Sequence, residues 1–275
     1  MHRSMTNKLN RKRRQEIAEE TVAILRAGRY VAPSGREVDV ERAIGDAIAG
    51  TTLHTPERPP PRAIPSARPT IITVANETTL AGARRLHDEG RRVAALVFGS
   101  ARNPGGGFLG GSEAQEESLA RASALYACEE GSPFYQHHRA RRDPSYSHHV
   151  IHAPDVPVLR DDAGTLLEAP WPCSFLVAAA PNRRELDPDE DTAPVMAERI
   201  ARILDVAAAH EHRALVLGAF GCGVFRNDPI EVAGLFASAL EGSHAGVFDV
   251  VRFSVLDTSE EGATFRAFAA RFDRA

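Results

Sequence analysis

From Ile71 onward the chain alternates short apolar runs with longer amphipathic ones, and this alternation constrains the fold more than any other feature. The runs Ile71–Ala75, Val93–Phe98, His149–Ala153, Phe175–Ala179, Leu215–Ala219 and Val250–Leu256 have the length and character of strands. Residues 78–89, 115–130, 191–210, 229–240 and 260–272 carry the spacing of amphipathic helices. Apolar strands interleaved with such helices need a sheet covered on both faces. The pattern predicts an α/β fold with about six strands. The insert Val156–Leu167, centred on Asp161-Asp162-Ala163-Gly164, reads as a hairpin rather than a crossover.

Upstream, residues 14–27 and 37–49 read as two helices, the first closing at Gly28. The stretch Thr55–Pro69 contains Pro59-Pro60-Pro61 and is neither helix interior nor central strand, because proline lacks an N–H and fixes φ. It is expected to be an extended connector. The predicted organisation is residues 1–70, an N-terminal helical extension and connector, followed by a main domain over 71–275. The basic run Arg11-Lys12-Arg13-Arg14 reads as the solvated start of a helix rather than as a polyanion patch.

Composition narrows the function. The net charge is −4, from 33 basic and 37 acidic residues, which argues against bulk or sequence-specific nucleic-acid binding. Affinity for anions must then come from local backbone geometry. Cys128, Cys173 and Cys222 are too scattered for a disulfide framework and form no CxxC zinc pair. No apolar run reaches membrane-span length, and the charged N-terminus lacks the apolar segment of a secretory signal. A cytoplasmic protein without membrane contact is expected.

Two glycine loops follow strands. Gly105-Gly106-Gly107 and Gly110-Gly111 succeed Val93–Phe98, and rigid Pro104 immediately before them favours a shaped loop over a floppy one. Gly221-Cys222-Gly223-Val224-Phe225-Arg226-Asn227 follows a later strand and leads into Asp228-Pro229, an N-cap and first-turn pair. Backbone N–H groups at such places hold anions without lysine. Two loops of this kind suggest a diphosphate clamped from both sides. Neither matches the Walker or GxGxxG patterns. Phe225 reads as packing on a ribose or base, and Cys222 as a small filler without a His/Asp partner.

Gln115-Glu116-Glu117 follows the first loop, and Ser112 stands three residues before Gln115, the spacing of a capping box. Successive helical residues differ by roughly 100° in direction, so one carboxylate can face a ligand while the other braces it. Acidic residues also favour helix N-termini for purely electrostatic reasons, and that reading explains the same residues.

Asn103-Pro-Gly-Gly-Gly-Phe-Leu-Gly-Gly followed by Ala114-Gln-Glu-Glu-Ser resembles the signature of microbial-type poly(ADP-ribose) glycohydrolases: a triple glycine, six to eight residues, then Gln-Glu-Glu, with seven residues between here. Val74–Thr79, Val150–Arg160 and Gly218–Asn227 also look like family segments. The resemblance implies a macrodomain-like α/β/α sandwich with a mixed, roughly six-stranded sheet and an N-terminal helical extension. It implies hydrolysis of the 1″→2′ ribose–ribose bond of poly(ADP-ribose), with poly(ADP-ribose) and ADP-ribosylated proteins as partners. By this likeness Glu117 is the general acid/base and Glu116 holds the terminal ribose, which Asn103 also contacts. Gly105, Gly106, Gly107 and Gln115 would bind substrate from the first loop, and Gly221, Cys222, Gly223, Val224 and Phe225 from the second. Asn76 and Glu77 lie where macrodomains bind adenine, although the Gly-Asp pair that many macrodomains carry before this point is missing. No metal and no cofactor are expected.

His148, His149 and His152 lack a carboxylate at metal-motif spacing. Tyr135 and Tyr146 bracket an arginine-rich stretch (Arg139, Arg141, Arg142) that reads either as a cover over the ligand or as a solvated loop. Two rival functions are a macrodomain that binds ADP-ribose without cleaving it, and a hydrolase of single ADP-ribose groups. The adjacent Glu116-Glu117 pair argues against the first.

Overall fold

In a computed structural model, which describes residues 9–273, the chain begins with α1 (Arg11–Ala27). The Asn10 side chain caps α1 by accepting the Arg13 N–H, and Gly28 ends it in the left-handed region at φ 68°. The hairpin β1 (Arg29–Val31) and β2 (Glu37–Asp39), α2 (Glu41–Gly50) and β3 (Thr52–His54) complete the described part of the extension. Its first eight residues lie outside the described ones. After the connector come β4 (Ile71–Ala75), α3 (Thr79–Asp88), β5 (Val93–Phe98), α4 (Gln115–Ala122), α5 (Leu125–Glu129) and α6 (Pro133–Ala140). Then follow β6 (Val150–Arg160), β7 (Leu166–Ala178), α7 (Ala193–Ala209), β8 (Ala214–Leu217), α8 (Pro229–Glu241), β9 (Val250–Ser254) and α9 (Ala263–Phe272).

The main sheet has seven strands in the order β3-β6-β7-β5-β8-β9-β4. Strands β7, β5, β8, β9 and β4 run parallel to one another, while β6 pairs antiparallel with β7, and β3 with β6, at one edge. The expected count of about six is corrected by β3, whose Thr52–His54 pair with Val150–His152. Three residues are too few to show a periodicity. Their strand state comes from the exposed edge of β6, a tertiary cause.

Alternation along the central strands divides two cores. Val93, Ala95 and Val97 of β5 join one cluster with residues of α2 to α6, and Ala94 and Leu96 join the other with α7, α8 and α9. Helices therefore cover both faces, as the apolar strand pattern requires. Strands β6 and β7 form one long hairpin, turning where Asp161 N–H bonds Thr165 O.

Local expectations are corrected: residues 37–39, read as the start of a helix, form strand β2, and α2 begins only at Glu41. The predicted helix 115–130 breaks into α4 and α5 at Ser123, which is extended at φ −145° and ψ 179°. Its hydroxyl donates to Leu119 O and accepts the Leu125 N–H, so side-chain bonding competes with helix continuation. Residues 133–140 form α6, with Ser132 as N-cap and Pro133 in the first turn. Among the described residues no helix is long and apolar enough to cross a membrane.

Candidate active site

Strands β5, β7 and β8 point their carboxyl ends to one side, where open α/β sheets bind ligands. There a cavity of about 360 Å³ lies among the loops, lined by Ser100, Asn103, Tyr146, Asn182, Arg184, Val224 and Phe225 among others. Tyr146 takes φ 55°, and its ring centroid lies 5.9 Å from that of Phe225. The two rings narrow the cavity on one side.

The first glycine loop is held from within. Gly105 N–H donates to Glu129 Oε2 (2.7 Å), Gly106 N–H to Asn103 O (3.0 Å) and Gly107 N–H to Glu117 Oε1 (3.0 Å). All three donors expected to cradle phosphate are engaged by the protein. Gly106 sits at φ 60°, and a Cβ there would lie 2.6 Å from Glu117 Oε1 and 2.7 Å from Glu116 Oε2. Glycine at 106 makes room for the two carboxylates.

The second loop has the opposite character. Gly221 (φ 75°) is pinned by Asn227, whose Nδ2 donates to Gly221 O (3.0 Å) and Pro181 O (2.9 Å). Beyond it, the N–H groups of Gly223, Val224 and Phe225 have no acceptor among the described residues. A Cβ at Gly223 would meet nothing within 4 Å. Asp228 caps α8 by accepting the Ile230 N–H (2.7 Å), so the loop adjoins a helix N-terminus. These open donors suit an anion.

Helix α4 carries the carboxylates. Its N-cap is Ala114, without a side-chain bond, so the capping box expected from Ser112 does not form. Ser112 instead closes the glycine loop, its N–H donating to Gly107 O and its carbonyl accepting Arg121 Nη1 (2.6 Å). Gln115 braces the sheet: Oε1 accepts the Phe98 N–H (2.9 Å), and Nε2 donates to Leu96 O (2.7 Å) and Thr79 Oγ1 (3.1 Å). Its amide is fully used inside the protein, away from a substrate.

Glu116 is 4% exposed and accepts the Ser100 N–H at Oε2 (2.8 Å), while its Oε1 has no protein partner. Burial, then the charges of Glu129 and Glu117, hold its carboxyl well above the usual range. Glu117 is half-buried. Adjacent carboxyls thus differ: one is sealed, the other half-buried.

The other expected site residues divide. Asn103, Val224 and Phe225 line the cavity. Cys222 Sγ faces Phe220 O, and burial pushes its thiol up to about 12, consistent with a filler. Asn76 ties β4 to the chain after β9, its amide bonding both N–H and C=O of Asp257. Glu77 accepts from Arg252 (2.5 Å) and Ser254 (3.1 Å), with Arg252 and Ser254 holding its carboxyl low against burial. Neither Asn76 nor Glu77 lines the cavity. His148 accepts from Arg199, His149 bonds Ser147, and His152 faces His212 at 2.9 Å, so the three histidines go to separate partners. Tyr135 is buried in α6 rather than in a loop.

Several contributors escaped the sequence reading. The basic run is not merely solvated: Arg11 donates to Gly110 O (2.9 Å) and Arg14 to Gly111 O (2.8 Å), so α1 clamps the far end of the glycine loop. Asn182 and Arg184 follow β7, and the rule that ligands sit beyond parallel-strand ends was the signal available for them.

Fold and site together define a macrodomain-like α/β hydrolase with paired carboxylates beneath a glycine loop. The family described as "Microbial-type PARG, catalytic domain" matches residues 18–161. A poly(ADP-ribose) glycohydrolase structure from Thermomonospora curvata is 49% identical, with 94% of this chain and 99% of that chain covered and a TM-score of 0.89. The same protein bound to the inhibitor ADP-HPD is 48% identical over the same shares, with a TM-score of 0.88. A poly(ADP-ribose) glycohydrolase from Deinococcus radiodurans in complex with ADP-ribose is 41% identical, with shares of 84% and 97% and a TM-score of 0.78. No match is found among curated proteins. The chain belongs to the microbial-type poly(ADP-ribose) glycohydrolase family. Its activity is accordingly that of a glycoside hydrolase acting on poly(ADP-ribose).

Proposed function

We propose that Glu117 is the general acid/base of this reaction and that Glu116 holds the terminal ribose. The observation that carries the assignment is the contrast within the pair. Glu116 is buried with one oxygen that has no partner among the described residues, whereas Glu117 is half-buried, more open to a ligand, and its Oε1 accepts the Gly107 N–H. Glu117 gives its proton to the 2′-oxygen as the C1″–O bond breaks, and the ribose becomes oxocarbenium-like. The resulting carboxylate takes a proton from the water that attacks C1″, which regenerates the acid and releases ADP-ribose.

The open N–H groups at Gly223, Val224 and Phe225 hold the diphosphate, whose charge stabilises the cation. Asn103 contacts the terminal ribose, and Phe225, braced by Tyr146, orients it. ADP-ribosylated proteins of the cytoplasm are the proposed carriers of the polymer. Incubation with labelled polymer and with mono-ADP-ribosylated protein tests the reading. Release of ADP-ribose from polymer by the parent, lost in Glu117→Gln, is expected; equal turnover by both forms would move the acid to another residue.

A further inference from the structure

The carboxylate pair stands on a third glutamate. Glu129, the last residue of α5, is fully buried, and its Oε2 accepts the Gly105 N–H at 2.7 Å. Among the described residues, its other oxygen meets no partner of good hydrogen-bond geometry, nor do Glu116 Oε1 and the hydroxyl of buried Tyr135. Three carboxyls therefore hold three N–H groups of one loop: Glu116 at Ser100, Glu129 at Gly105 and Glu117 at Gly107. Glu129 cannot touch substrate from its place in the core.

We propose that Glu129 is a positioning residue for glycosidic cleavage: a buried carboxyl that pins Gly105 and so sets the glycine ceiling over Glu116 and Glu117. Gly105 and Gly106 are consecutive left-handed residues at φ 62° and 60°, a conformation that needs an anchor. Position 106 rests against both catalytic carboxyls, so a shift at Gly105 displaces the acid directly. The titratable groups that interact with Glu129 are Glu116 of α4, Tyr126 and Cys128 of its own helix, and Tyr135 of α6. Among the described residues, no cation is among the groups that shift it. Burial pushes its carboxyl up to about 8, against the Gly105 N–H and Tyr135. A neutral Glu129 spares Glu116 a buried like charge. Its loss of the proton at alkaline pH would place that charge beneath the loop.

The proposal rests on Glu117 as the acid, and polymer turnover by the parent and by Glu117→Gln checks that independently of residue 129. Glu129→Ala, Glu129→Gln and the parent are compared for kcat and KM on poly(ADP-ribose) across pH 5–9.5, with thermal melts to establish folding. Glu129→Ala should lower kcat by about tenfold to a hundredfold with KM within a few-fold, the signature of misplaced catalytic groups. Glu129→Gln mimics the protonated carboxyl. It should recover most of that loss at neutral pH and carry the alkaline limb of the profile upward by about one pH unit. A folded Glu129→Ala with parental kcat would overturn the positioning role. If that variant does not fold, Glu129→Gln decides alone: an alkaline limb at the parental pH overturns the proposal.

Discussion

The two glycine loops look alike in sequence and differ in what their glycines do. In the first, every N–H of Gly105–Gly107 is taken by a protein acceptor, and the missing side chain at 106 makes space for Glu116 and Glu117. In the second, the N–H groups of Gly223, Val224 and Phe225 are unclaimed among the described residues, and the space at 223 is open. Glycine thus makes room for carboxylates in the first loop and leaves backbone donors open in the second, although neither set of glycines nor Glu116 and Glu117 is among the cavity's lining residues. The proposed assignment accordingly gives the carboxylates to the first loop and the diphosphate chiefly to the second.

The largest effect should come from the catalytic side. Glu117→Gln keeps shape and removes the transferable proton, so kcat should fall about 10²- to 10⁴-fold. ADP-ribose affinity, measured by calorimetry, should stay within a few-fold. A large loss of affinity would mean that the first loop binds as well as catalyses. Next, Gly106→Ala brings a Cβ to 2.6 Å from Glu117 Oε1 at a φ of 60°. Displacing the acid by a fraction of an ångström to one ångström should cost up to about a hundredfold in kcat. Affinity should suffer less than kcat. Gly223→Val is the mirror experiment. Its Cβ meets nothing within 4 Å, and the side chain enters the space assigned to phosphate. Weakening of ADP-ribose binding by about tenfold, or 1.4 kcal/mol, with an unchanged melting temperature is expected. If Gly106→Ala changed mainly affinity and Gly223→Val mainly kcat, the two loops would have exchanged roles.

The smallest effect concerns the ground on which the loops stand. His152 and His212 face each other through Nε2 at 2.9 Å, so one nitrogen donates and the other accepts, and the accepting ring must be neutral. Burial first, then neighbouring charges, hold them down to about 2 and about 4. In the unfolded chain they take protons near 6.5, so the stability they contribute is complete above that pH. It is lost as pH falls from 6.5 toward 4. Glu129, raised to about 8, has the opposite sign: its contribution is complete below the ordinary carboxyl value and is lost as pH rises toward 8. Urea midpoints across pH 4.5–8.5 should decline on both sides. In Glu129→Gln the alkaline decline should flatten and the acid decline remain. A parental alkaline slope in that variant would remove the buried proton from the account.

Much of the molecule was legible in its residues. Strand runs such as Val93–Phe98 announce themselves because a sheet covered on both faces must be apolar at every position. The helix stops at Gly28 and the start at Asp228-Pro229 follow from local capping chemistry, and both hold. The glycine-to-glutamate spacing was sufficient to identify the family, because close backbone approach and paired carboxylates are encoded in adjacent residues. Tertiary structure alone decided the rest. Strand β3 exists because β6 offers an open edge, and α4 ends where Ser123 meets Val158 across the fold. Arg11, Arg14 and Glu129 reach the first loop from segments distant in the chain or turned away from it, so no spacing rule marks them. Which glycines make room and which bind depended on what the fold brings against them. A glycine's function lies in its neighbours, and those are set by packing.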